Sequence, residues 1–225
     1  MAETKNSEHL RSNGPFITID DFITEFDTIE PTARYNLLTF PQDKYAKLLA
    51  RQHVETSILQ LPSLEIVIAK GLSGTEAAFT REELLQLNPQ LKVHTHPTRL
   101  PSPGNLKILL ANAGISEEDA DIEGLSHLAL LIPSPEDFTL GSVGAERNEI
   151  WTEYGKTTYQ PYRTDSENLI HLSRKTIANL YRSKLFLSVL ADKSLDMQTK
   201  IDKLNQPLKA MDISFQVTPW EKDEE

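Results

Sequence analysis

Two histidines, His94 and His96, stand one residue apart around Thr95 and are followed at once by Pro97. On a strand, residues i and i+2 face the same side, so the two imidazoles present neighbouring ring nitrogens while Thr95 faces away. Pro97 then ends the strand and turns the chain out. Two imidazoles so placed can hold a metal ion, and they need carboxylate or amide oxygens to complete the set. After a short loop comes Ser102-Pro103-Gly104-Asn105, which opens a segment carrying Leu106, Leu109 and Leu110. Serine as cap with proline in the first turn is also an ordinary helix start. The plainer reading of the histidines is a pair of strand-end side chains bonded to loop carbonyls.

The elements that must position these residues follow from periodicity. FITIDDFITEF reads as a strand passing into a helix, and PQDKYAKLLARQ as a helix with Tyr45, Leu48 and Leu49 on one face. HVETSILQL and LEIVIAKG are β-rich runs on either side of Pro62-Ser63, a hairpin or two neighbouring strands. Thr80 and Glu83 form a capping-box pair ahead of a short helix, and LKVHTHP is the strand that carries the histidines. The helix from Ser102 is expected to stop at Gly114. SEEDADIEG reads as an acidic turn or short helix, HLALLIP as a buried central strand, Pro133 to Asp137 as a loop, and FTLGSV and EIWTEYG as late strands.

From Ser166 the pattern turns helical through Leu169, Leu172, Ile177, Leu180 and Leu187, with Ser166 or Asp165 as cap. A second helix carries Met197, Ile201, Leu204 and Leu208, with a kink expected at Pro207. The expected organisation is a flexible arm over 1–15, an α/β domain over 16–160, and a C-terminal helical extension with an acidic tail over 161–225. The apolar stripes of that extension need burial on the domain or in a bundle with another chain, so a homodimer through these helices is expected.

Composition removes several classes. A formal charge of −10 and a pI near 5.1 argue against sequence-independent binding to nucleic acid or anionic membranes. The absence of cysteine excludes disulfides, thiolate zinc sites and cysteine nucleophiles. H-E-x-x-H, G-x-S-x-G and a phosphate-cradling glycine loop are missing too. With no signal-like or membrane-spanning apolar run, the expectation is a cytoplasmic protein.

Strand, H-x-H-P, loop, then a serine followed three residues later by a small polar residue on a helix start: this resembles the JAMM motif of the MPN (JAB) metallopeptidase family. The resemblance covers roughly residues 40–160. It implies an MPN-like α/β fold, a mixed central sheet flanked by helices, with zinc held by His94, His96 and a third ligand. In the family that ligand is an aspartate; here Asn105 occupies the position, a neutral amide in place of a charge. Ser102 matches the serine that helps stabilise the oxyanion. An upstream glutamate serves as general base and acid, and Glu55 is the choice by element order, with Glu65 and Glu76 as alternatives. Asp119 or Asp121 could replace the missing carboxylate.

Two functions follow from the resemblance. One is a zinc metallopeptidase or isopeptidase acting on a protein or peptide substrate, including ubiquitin-like ones. The other is a catalytically inactive MPN-like scaffold or binding module. The remaining candidates carry blander expectations. His127 is read as a core or edge histidine, His53 as a surface helix end, and Trp151 with Tyr154 as packing for a late strand, while His9 and His171 carry no signal.

Overall fold

In the computed structural model, residues 14–72, 78–97, 103–140, 145–162, 164 and 166–220 are described. Most of the expected arm, including His9, lies outside them, as do Glu76, Ser102, Asp165 and the acidic tail. The chain begins with β1 (Phe16–Ile17), α1 (Ile19–Thr24), β2 (Tyr35–Leu37) and α2 (Asp43–Ala50). The two β-rich runs form β3 (Thr56–Gln60) and β4 (Ile66–Lys70), an antiparallel pair in register from Thr56 opposite Lys70 to Gln60 opposite Ile66. Helix α3 (Arg81–Leu87) starts with the capping box of Thr80 and Glu83. Strand β5 (Leu91–Thr95) then carries His94, and His96 falls just beyond its end, tied by its N–H to the Trp151 carbonyl at 2.9 Å.

Helix α4 (Pro103–Asn112) ends before Gly114, whose φ of +68° suits a left-handed stop. The next two elements correct the sequence expectation. The run HLALLIP lies mostly in a helix, α5 (Ile122–Leu131), because Asp121 caps it and accepts the Gly124 N–H at 2.9 Å. A continuous apolar run suits a buried helix as well as a buried strand, and the upstream cap decides between them. FTLGSV is no strand where it is described: α6 (Pro135–Leu140) takes its first half, with Ser134 as the residue before Pro135.

The chain returns to the sheet with β6 (Arg147–Trp151) and β7 (Gly155–Gln160). The expected single helix through Leu187 is two, α7 (Glu167–Tyr181) and α8 (Lys184–Ala191), because Ser183 caps afresh and accepts the Phe186 N–H. Helix α9 (Met197–Lys209) contains Pro207, and β8 (Ser214–Pro219) closes the chain.

Among the described residues, eight strands make one mixed sheet in the order β1-β2-β4-β3-β5-β6-β7-β8. The β1–β2 and β5–β6 pairs are parallel and the rest antiparallel. One face packs on α1 and α2 through Phe22, Leu49, Ile58, Val93 and Trp151. The other carries a small cluster under α3, with Leu59, Val67 and Leu84, and a large one under the later helices, with Leu110, Leu128, Phe138, Ile177, Leu187 and Leu208. Residues after 160 therefore share the main core and add β8 to the sheet edge. Their apolar stripe is covered by this chain's own core at Ile177, Phe186 and Leu187, leaving Leu169, Leu172 and Leu185 exposed. No helix among the described residues is long and apolar enough to cross a membrane.

Candidate metal centre

Strand alternation puts Lys92 and His94 on the sheet face opposite Val93 and Thr95. Thr95 points into the α1–α2 side, where its hydroxyl accepts the Thr56 N–H at 2.9 Å. That bond fixes the residue next to Glu55, and the Glu55 carbonyl accepts from Gly71 at 2.8 Å. Since Ser57 pairs with His94 across β3 and β5, Glu55 is held at the strand end where His96 leaves β5. The residue between the histidines thus positions the glutamate.

The two Nε2 atoms of His94 and His96 lie 3.3 Å apart. Between them sits a carboxylate from Asp137, with Oδ1 at 3.0 Å from His94 Nε2 and Oδ2 at 3.5 Å from His96 Nε2. Among the described residues, these three are the group of imidazoles and acidic side chains close enough to share one metal ion. The chemistry of the donor set fits: metal–ligand bonds of about 2.0–2.1 Å in a tetrahedron place ligand atoms roughly 3.3 Å apart. His96 is oriented for the task, because its Nδ1–H donates to the Leu130 carbonyl at 2.9 Å and turns Nε2 toward His94 and Asp137.

Asp137 is held by the start of α6. Its Oδ2 accepts the Ser134 N–H at 2.7 Å, and the Asp137 N–H donates to Ser134 Oγ at 3.1 Å. The next residue, Phe138, is fully buried and meets the Tyr159 ring edge-on at 5.8 Å. Burying such a side chain contributes about 1.5–3 kcal/mol, which anchors the helix that carries the carboxylate. From α7, Arg174 reaches Glu136 at 3.7 Å.

Charges are strongly coupled here. Burial alone would raise the Asp137 carboxyl, but the neighbouring His94 and His96 hold it well below the usual carboxylate range. Burial pushes His96 down, and the hydrogen bond and charge of Asp137 outweigh it, leaving His96 above the ordinary histidine value. Glu55 is 7 % exposed, and burial raises its carboxyl despite the opposing pull of His94 and His96. Lys92 is buried on the same face, and desolvation lowers its ammonium against the attraction of Asp137 and Glu55. Burial also drives the Tyr159 phenol well up, with Asp137 and Glu55 adding to the shift. Around this centre Ser57 Oγ, His94 Nδ1, both amide atoms of Asn148 and the Tyr159 hydroxyl are buried without a hydrogen-bond partner among the described residues. Lys92, Asn148 and Tyr159 stand in one register row across β5, β6 and β7. Such a row provides polar groups for bound water or ligand.

The other sequence candidates fall elsewhere. Asn105 is an exposed residue in the first turns of α4, and the carboxylate beside the imidazoles comes from Asp137. Glu65 is exposed and hydrogen-bonded to Ser63, while Glu55 faces the cluster. Asp119 is exposed, and Asp121 caps α5 with Lys200 at 3.8 Å. His127 stacks on Tyr154, with ring centroids 4.1 Å apart, and His53 lies exposed against Phe26 and Asp27. Trp151 is buried on the α1–α2 face and donates to Glu149, which also meets Arg147. His171 is exposed on α7.

Asp137 is the residue that sequence reasoning missed, and its signal was present. Ser134-Pro135-Glu136-Asp137 has the same serine-proline start as Ser102-Pro103-Gly104-Asn105, with an acid at the fourth place. No family model, curated protein or solved structure matches this chain.

Proposed function

We propose that this protein is a zinc-dependent peptidase or isopeptidase of JAMM type, built on an MPN-like sheet. The observation that carries the reading is the triangle of His94, His96 and Asp137 ligand atoms beside a buried glutamate. Two imidazoles and one carboxylate suit zinc, with a further coordination place left for water. Bound zinc would lower the pKa of that water to about 7 and polarise a carbonyl.

The chain's own groups divide the remaining work. Glu55, raised by burial and set beside the imidazoles, takes a proton from the nucleophilic water and returns it to the leaving amine. Ser134 matches the family's serine better than Ser102, since it stands three residues ahead of an aspartate; its hydroxyl is the oxyanion donor. Lys92, buried on the same face with its ammonium lowered by desolvation, lies within the electrostatic reach of both carboxylates. The substrate class is a protein or peptide, including one joined through an isopeptide bond.

Elemental mass spectrometry on the purified protein and on Asp137→Asn tests the reading. About one zinc per chain in the native protein, lost in the variant, is expected, followed by cleavage in a peptide and isopeptide screen. Zinc without any cleavage would favour the scaffold reading, and no zinc at all would end the metallopeptidase one.

A further inference from the structure

A cavity of about 300 Å3 opens beside the centre and shares His96, Ser134 and Pro135 with it. Its far wall is apolar: Leu106 and Leu109 from α4, Leu125 from α5, and Tyr181, Phe186 and Leu187 from the C-terminal helices. Among the described residues, His96 is the one member of the lining that carries an ionisable acid or base of the Asp, Glu, Lys, Arg or His type. One wall is tied down at Tyr181. Tyr181 donates its hydroxyl to the Pro133 carbonyl at 2.7 Å and stacks on Phe186 at 4.5 Å, just where the chain enters α6. Protein interiors rarely leave such a space unfilled, and this volume lies at the lower end of about 300–1,000 Å3 for pockets that take small ligands.

We infer that this cavity is the specificity subsite of the proposed peptidase and takes a branched or aromatic apolar side chain next to the bond being cut. The inference rests on the metallopeptidase reading and adds to it which peptides are cut. Continuity with the centre supplies the occupant: the cavity shares the ligand His96 with the His94, His96 and Asp137 group, and Ser134, which caps Asp137, also lines it. The lining supplies the chemistry, since away from His96 the described walls offer a charged side chain no partner for the water it would lose. It also gives the C-terminal helices a part in the site, because α7 and α8 provide the wall that α4 and α5 lack.

The test compares two chelating probes on the zinc-loaded full chain, acetohydroxamate and 4-methylpentanohydroxamate, by calorimetry. The two share the metal-binding group and differ in the apolar tail. The native protein is expected to bind the branched probe at least about tenfold more tightly, the discrimination typical of apolar pockets. Ala129→Phe, which fills the cavity from α5, is expected to reduce that ratio to within about threefold while zinc content and melting temperature hold. Equal binding of both probes by the native protein would overturn the subsite and leave the metal centre standing, as would an unchanged ratio in a folded, zinc-loaded Ala129→Phe. Absence of zinc in the native protein would instead overturn the metallopeptidase reading, and the subsite with it.

Discussion

Ser134 and Asp137 hold each other from both ends: the Asp137 Oδ2 accepts the Ser134 N–H at 2.7 Å, and Ser134 Oγ accepts the Asp137 N–H at 3.1 Å. This reciprocal cap does more than start α6. It fixes the carboxylate rotamer so that the other oxygen, Oδ1, meets His94 Nε2 at 3.0 Å. Removing the serine hydroxyl leaves the ligand present but less well aimed. For Ser134→Ala the expected outcome is a loss of zinc affinity of about 10–100-fold, the usual effect of an outer-shell partner. It should come with roughly 1 kcal/mol of lost helix-cap stability. Competition with a metallochromic chelator measures the first and denaturant melts the second. Unchanged affinity would mean that the Ser134 N–H and α6 packing position Asp137 without the hydroxyl.

The ligand assignment separates two residues that the sequence made rivals. Asp137→Asn is expected to weaken zinc binding by more than about a hundredfold, beyond the range for outer-shell changes. Asn105→Ala, on an exposed site, is expected to leave zinc content unaltered. The reverse pattern would return the third ligand to α4.

Which parts of this centre were legible follows from the distance over which each signal acts. His94 and His96 are visible because strand alternation and Pro97 are local. Glu55 could be chosen by element order, but only the Thr95–Thr56 hydrogen bond and the β3–β5 register show why it faces the pair. Asp137 was hidden because α4 and α5 intervene, and because an earlier serine-proline helix start copies its motif without the acid. Reading HLALLIP as a strand removed α5, and with it the Leu130 carbonyl that orients His96. The C-terminal helices were visible as helices. Their place in the main core was not, because an apolar stripe does not name the surface that covers it.

A catalytic role for Glu55 predicts a split between binding and turnover. Glu55→Gln keeps the shape and removes the base, so zinc content should stay near that of the native protein while kcat falls by about 100- to 10,000-fold. Because the glutamine cannot titrate, the acidic limb of the pH profile of kcat/KM should disappear from the residual activity. Equal loss of zinc and activity would make Glu55 a structural partner of the imidazoles.

The metal-free protein should record the Asp137–His96 pairing in its stability. His96 is raised above its ordinary value of 6.5, so its contribution is complete below that pH and is lost as the pH rises through the higher folded value. Asp137 is depressed below 3.8, so its contribution is present above that pH and is lost as the pH falls through the lower folded value. The pair therefore stabilises the fold most between about 4 and 6.5. Glu55, raised by burial and further by the Asp137 charge, adds a loss with rising pH that Asp137→Asn also lessens. Melting temperatures of chelator-treated native protein should fall from pH 6.5 to 9, and Asp137→Asn should flatten that slope. Zinc saturation should flatten it as well, since a bound cation replaces the proton between the same three ligand atoms. An equal slope in native and Asp137→Asn protein would show that the pH dependence arises elsewhere in the chain.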